Sequence, residues 1–582
     1  MKQTRGWIVR LFTLQISLQL TAGFISGCAN TTNPTIEPTA ETTVNYLPVP
    51  TPANPLPTLL PPTPATTLIP GDNDPGQEVA SGIMVLAMGD GRYQHLFAYH
   101  PVYLPLTRIT TGDFDFNDPA INPDGTQIAY CDTSSGKWNV AILNLVDNSM
   151  FQVTNSEAYA CAPSWSPDGQ WLAYESVSDG KLDIFLQSVS DFSSPAVPLT
   201  DGLGNNFDPA WAPGGREIAF VSDRNGHQEI WLANLDASTD RLTTLKSSDE
   251  ADYTHPRWSS DGTTLLWQKT SDMAVIEKLD RSVEGSRPVT IGTGSMPTWG
   301  TNNQGVVAVL QTPNGYELVS YRKDPTRALF PSIQLPDRVT ALTWQSGRFV
   351  ENMGKYLDTI DLPAPAALME PEVVDTTTGL LDWVYLEGVD APEPYLSDSV
   401  NSNFASMRSV LENELGWDFL GILENASLSL PNEPQAESNL NWLYTGRAIA
   451  VNLAPLDAGW LVVSREDFNG RTYWRVWLKC REQDGTCGAP IKMSVWDFNS
   501  RSNGDNAAFE NGGRNSAPPG GYWLDFTAFA MRFGWDRIPA ESNWRSYFPS
   551  TQLNLFVHSD GLSWREAMSE RFPTETIESL WP

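Results

Sequence analysis

Histidine, cysteine and positive charge are all scarce in this chain of 582 residues. Lys and Arg total 37 against 69 Asp and Glu, a formal net charge of −32. A surface of that sign repels phosphate backbones and anionic lipid, which argues against nucleic acid as a partner. Only five histidines occur, His95, His100, His227, His255 and His558. There is no G-x-S-x-G, no H-E-x-x-H and no P-loop. Those absences disfavour the strand-to-helix serine nucleophile, the zincin helix and the phosphate cradle. Beyond the N-terminus no run is long and apolar enough to span a bilayer. The length exceeds what one hydrophobic core serves, so several domains are expected.

Lys2, Arg5 and Arg10 precede an apolar stretch from Leu11 to Phe24, followed by Ile25-Ser26-Gly27-Cys28. A basic region, a short apolar region and small residues describe an export signal. Gln15, Ser17 and Gln19 interrupt the apolar stretch and argue against an uncleaved span. The I-S-G-C ending resembles the lipobox of bacterial lipoproteins. It implies a signal peptide over 1–27, a lipid on Cys28, and membrane attachment at the cell surface by that anchor alone.

Four cysteines remain, Cys131, Cys161, Cys480 and Cys487, an even number suited to disulfides in an exported chain. Cys480 and Cys487 flank REQDGT, whose Asp-Gly is a hairpin-turn signal that sets them across two strands. Cys131 and Cys161 then pair by elimination, with free buried thiols as the alternative.

Residues 28–78 are rich in Thr and Pro, an extended tether. A repeat follows: NDPAINPDGTQIAY, CAPSWSPDGQWLAY, FDPAWAPGGREIAF and THPRWSSDGTTLLW, with weaker copies SMPTWGTNNQGVVAV and TALTWQSGRFV. The anchors Ile121, Trp165, Trp211, Trp258, Trp299 and Trp344 are spaced 44, 46, 47, 41 and 45 apart. Such a period, with several short strands per unit, marks propeller blades. GIMVLAM, HLFAYHP and LTRIT have the layout of a blade's second to fourth strands, and TALTWQSG that of a first strand. Joined, they close six blades and leave no unpaired edge.

These repeats resemble the WD40-like units of the TolB propeller family. The fold class expected is therefore mainly β: a six-bladed β-propeller over 79–351 followed by a smaller α+β domain. The resemblance implies a protein or peptide partner for the propeller.

Within the first repeat, Asp113, Asp115, Asn117 and Asp124 approximate a calcium loop, but Asp118 stands where that loop needs Gly. The blade template already accounts for the segment, so no metal is assigned. His227 and His255 read as loop or packing residues.

Residues 352–394 are acidic and Pro-rich and read as a linker. In 395–582, Phe404, Met407, Leu411 and Leu415 form one apolar helix face, with Ser402 to cap its start and Gly416 its end. Strand-like runs and a second helix at DFTAFAMRFG complete the α+β pattern.

NWLYTGRAIAVN, residues 441–452, and FGWDRIPAESNWR, residues 533–545, resemble two motifs of zinc-dependent D-alanyl-D-alanine carboxypeptidases. In that family the first motif supplies His and Asp ligands, the second a Glu base and a last His. Here the corresponding places fall on Leu443, Ala450, Ser542 and Arg545. Leu and Ala donate nothing, and Arg brings positive charge beside a cation, so neither metal nor activated water is expected.

The resemblance thus implies a degenerate, non-catalytic peptidase-like domain with no cofactor, with peptidoglycan as a candidate partner. Trp442, Tyr444, Trp535, Trp544 and Tyr547 are candidates for an aromatic groove, against the alternative of core packing. The polar, Gly- and Asn-bearing stretch 496–506 reads as a long loop bordering it. A lipid-anchored envelope scaffold is the reading these features support. An active envelope hydrolase and a ligand- or sugar-sensing propeller are the alternatives.

Overall fold

Each repeat folds into an antiparallel sheet of four strands, because its alternating runs are covered on both faces and its Asp-Gly pairs reverse the chain. The computed structural model describes residues 82–582, apart from 156, 247–250, 272, 301–302, 313–314, 323–327, 365–379 and 436–439. The signal stretch, Cys28 and nearly all of the tether lie outside the described residues.

Six of the four-stranded sheets among the described residues belong to the repeat region. Their first strands are Phe116–Ile121, Ala160–Trp165, Asn206–Trp211, Asp252–Trp258, Ser295–Trp299 and Val339–Gln345. Each touches the next, and the last touches both Ser295–Trp299 and Phe116–Ile121, so the contacts run in a cycle. The two ends of the repeat share one sheet: Val339–Gln345 pairs with Ile83–Asp90, which pairs with Tyr93–His100 and then Leu104–Arg108.

Buried apolar clusters fill the spaces between neighbouring sheets. Three of the repeat tryptophans tie one sheet to the one before it. Trp165, Trp258 and Trp299 donate their indole N–H to the carbonyls of Ala120, Ala210 and Arg257 at 3.0, 3.0 and 3.1 Å.

The start of the expected linker is helical. Helix α1, Arg348–Leu357, buries Phe349, Met353 and Tyr356 against the sheets of Ile83–Asp90 and Phe116–Ile121. Gly125, at φ 71°, turns the chain beneath it, where a Cβ would collide with the Phe349 backbone. The Tyr356 hydroxyl donates to the Ile109 carbonyl at 2.7 Å.

Helix α2, Asn401–Leu415, buries Phe404, Met407, Leu411 and Leu415 and ends on Gly416 at φ 80°. Its N-cap is Val400, without a side-chain cap, so Ser402 lies inside the helix instead of capping it. The second expected helix is Phe526–Arg532, started by the Asp525 carboxylate accepting from the Ala528 amide at 2.9 Å. Around these lie a four-stranded sheet containing Ala448–Val451 and Leu555–Val557, and a three-stranded sheet of Leu461–Phe468, Arg471–Lys479 and Trp523–Asp525. One apolar core runs on from Tyr159 and Phe207 in the propeller region to Tyr522 and Leu524.

Candidate binding site at the centre of the ring

Five of the six first strands share a local distortion. Their pairing with the second strand slips at Asn117/Ala120, Cys161/Ser164, Phe207/Ala210, Thr254/Arg257 and Ser295/Thr298. Within each slip, the residue before proline adopts positive φ: Asp118 47°, Ala162 49°, Asp208 53°, His255 52° and Met296 54°. That region costs a side-chain-bearing residue about 1–2 kcal/mol, and bulges of this kind re-aim side chains. Here they bring Asp118, Asp208 and His255 into one charged cluster.

Glu175 is its centre and is fully buried. Its carboxylate accepts from the Tyr159 hydroxyl at 2.8 Å, from the Asp208 amide at 3.0 Å, and from the Lys492 ammonium at 2.5 Å. Lys492 also faces Asp118 at 3.8 Å, and His255 faces Asp208 at 3.7 Å. Burial pushes the Asp118 carboxyl up to about 6, helped by the charges of Glu175 and Asp208 and opposed by Lys492. Burial works against the Lys492 charge, yet Glu175, Tyr159 and Asp118 outweigh it and hold the ammonium well above its ordinary value. Burial lowers His255, with Asp208 opposing. An ammonium held this way keeps its proton and is not a nucleophile. The cluster is a receptor for a cation, filled by a lysine from the C-terminal region.

The same segment is fastened on either side of Lys492. Gln228 donates to the Lys492 carbonyl at 2.6 Å, and the Ser494 hydroxyl to Asp252 at 2.5 Å. Nearby, the Tyr159 amide donates to the Tyr522 hydroxyl at 2.9 Å, and Arg338 pairs with Asp525 at 2.7 Å. No sequence motif flags Lys492, Glu175 or Tyr159. His255, read as a loop or packing residue, belongs to this buried network.

Cys131 and Cys161 are joined as a disulfide with Cα atoms 5.1 Å apart, linking adjacent sheets of the ring. Cys480 and Cys487 are joined with Cα atoms 5.9 Å apart. The latter closes a loop beyond the strand Arg471–Lys479 rather than a strand pair. Among the described residues, one set of potential metal donors gathers, Asp118 with Cys131 and Cys161, and the disulfide takes both thiolates. The calcium-like side chains do not converge: Asp115 accepts from the Gln94 amide, Asn117 from Gln94 and Thr340 side chains, and Asp124 from Thr126.

The peptidase-like places separate into two regions. Leu443 and Ala450 are buried in a small apolar cluster with Ala448, Leu555 and Val557. Ala450 pairs across the sheet with Leu555. Ser542 and Arg545 instead lie exposed on a turn, with Arg545 stacked 5.3 Å from the Trp544 ring and set against Gly512. The chain facing Ala450 is the strand Leu555–Val557, and Asp536–Arg537 of the second motif pairs with the other side of that strand. His558 follows that strand, 3.3 Å from Asp560 and 5.5 Å from the Trp535 ring. Burial lowers its basicity, with Asp560 opposing.

Nor do the five aromatics line one groove. Trp442 and Tyr444 pack with the cluster of Trp564 and Trp581; Trp535 is buried against Phe404; Trp544 packs edge-on to Trp474. Tyr547 alone is exposed. The first four went to core packing because each large ring closes a different gap.

Two cavities flank Trp496 instead. One, about 380 Å³, is walled by Phe498, Phe509 and Phe548. The other, about 410 Å³, lies between His227 and Asp252 of the propeller region and Arg465 and Asn511 of the C-terminal region.

The TolB beta propeller domain model matches residues 108–325. That region is a TolB-like β-propeller, here carrying a further α+β region. Among solved structures, TolB from Acinetobacter baumannii is 17% identical, covering 46% of this chain and 67% of its own, with a TM-score of 0.41. A putative TolB from Agrobacterium tumefaciens is 22% identical, covering 36% and 88%, with a TM-score of 0.31. An oligogalacturonate lyase from Vibrio parahaemolyticus is 11% identical, covering 44% and 79%, with a TM-score of 0.32. No curated protein matches the sequence. No helix among the described residues is long and apolar enough to cross a membrane.

Proposed function

We propose that this chain is a non-catalytic binding scaffold of the bacterial envelope, held to the membrane by a lipid on Cys28. The six-bladed propeller takes a protein or peptide partner, and the C-terminal domain, a degenerate zinc peptidase, contacts the cell wall. The observation that carries the non-catalytic part is that Leu443 and Ala450, at the places where the resembled family has His and Asp ligands, are buried among Ala448, Leu555 and Val557. A hydrolytic zinc needs about three protein donors and an open place for water. The envelope part rests on the lipobox and on the TolB-like repeat.

The test is retention of the full chain on isolated cell wall, beside a version lacking residues 395–582. Retention that the truncation abolishes, with the truncated chain still folded by circular dichroism, supports the wall contact; no retention of the full chain sinks it. Zinc by elemental analysis at one per chain, or chelator-sensitive cleavage of wall peptides, would overturn the non-catalytic reading.

A further inference from the structure

We infer that the cavity beside Trp496 is a glycan-binding site that takes a neutral pyranose oligosaccharide. Its volume, about 380 Å³, falls in the range of small-ligand pockets. Phe498 and Phe548 meet at 81° with centroids 5.1 Å apart, which gives two aromatic walls at right angles. Trp496 closes one side, and Phe509, 64% exposed, stands at the mouth.

The polar lining selects the ligand class. Asp457, Asn499 and Arg501 line the same cavity, with Asp457 and Asn499 exposed and Arg501 half-buried. The Asp497 carboxylate accepts from the Asn499 and Ser500 amides at 2.9 and 3.3 Å, which fixes the turn carrying Asn499 and Arg501. A purely apolar guest would cover those polar groups without pairing them, at the full desolvation cost. An anion meets Asp457 and Asp497, and a cation meets Arg501, so neither sign is favoured. A pyranose ring satisfies both halves: its C–H face lies on the aromatic walls, and neighbouring hydroxyls pair with a planar carboxylate, amide or guanidinium. None of these residues belongs to the apolar cluster at Leu443 and Ala450, so the site is separate from the peptidase-like loop.

This inference deepens the proposed wall contact and rests on that reading for its biological setting. Its test is independent: calorimetric titration of the full chain with chitotetraose, an N-acetylated β-1,4 glycan, and with cellotetraose, a neutral glucan. Binding of chitotetraose alone points to wall glycan as the source, and binding of both to glycans in general. Phe509→Ala, at an exposed position, is expected to weaken binding about tenfold with an unchanged melting temperature. Asp457→Asn and Arg501→Ala are expected to do the same. No heat with either sugar up to about 10 mM, or binding that none of the three variants alters, would overturn the site. Wall retention without sugar binding leaves the scaffold reading standing and removes this inference. Sugar binding without wall retention does the reverse.

Discussion

Asp118 and Lys492 sit 3.8 Å apart and have opposite effects on stability. Asp118 carries a folded-state value of about 6 against an ordinary 3.8. Between those values the folded chain holds a proton that the unfolded chain releases, so stability falls as pH rises through that window. The difference corresponds to about 2–3 kcal/mol at neutral pH. Asp118→Asn keeps the shape, and Asn tolerates positive φ. The variant is expected to melt higher than the parent at pH 7.5, with the gap closing by about pH 4; parallel melting curves would rule the argument out. Lys492→Met should do the opposite, because it strands a fully buried Glu175. Removing one partner of a buried pair costs about 3–5 kcal/mol, readable by urea denaturation. Glu466 gives the contrasting pH effect. Burial opposes its charge, but Arg475 and Arg537 outweigh it and hold it at about 2, so its contribution is present above 4.5 and lost as pH falls toward 2.

At the level of elements, the ring depends on pieces that are far apart in sequence. Val339–Gln345 pairs with Ile83–Asp90, and Gln94 donates to both Asn117 and Thr340, stitching three strands at the closure. A chain lacking residues 82–110 loses three of the four strands of that sheet and is expected to aggregate or lose its cooperative melt. A soluble monomer with the parent's melting temperature would show that closure is dispensable. Helix α1 is a second clasp. Phe349 is fully buried there, and Phe349→Ala should cost about 3–5 kcal/mol with the urea m-value unchanged. The strands were legible because each repeat carries its own anchor, turn and alternation within one short window. Helix α1 was less so, although Phe349, Met353 and Tyr356 have helical spacing, because the Pro-rich run after it suggested a linker. Ser402 looked like a cap, but the helix starts earlier, at Asn401, where Val400 leads directly out of a strand and turn.

For the whole molecule, what the sequence hid is the seam between the propeller region and the C-terminal region. Lys492 lies in GAPIKMSV, a stretch with no motif, and its partners belong to consecutive sheets that packing brings together. The arrangement of the peptidase-like motifs was hidden for the same reason: the spacing of 533–545 along the chain does not show that Asp536–Arg537 pairs with Leu555–Val557, the strand that also pairs with Ala450. That seam has a thermodynamic consequence. Separate domains joined by small polar contacts melt independently, whereas here the Glu175–Lys492 pair, the Asp252–Ser494 bond, the Tyr159–Tyr522 bond and a continuous apolar core cross between the two regions. Stripping the C-terminal region away removes the Lys492 charge that offsets Glu175 and Asp118. The parent is therefore expected to show one calorimetric transition whose van't Hoff and calorimetric enthalpies agree. The double variant Lys492→Met with Ser494→Ala removes two of the bonds that cross the seam and should split the trace into two transitions. Two transitions already in the parent would mean that ring and C-terminal region fold as independent units, and the charged cluster would then be a local feature instead of the tie between them.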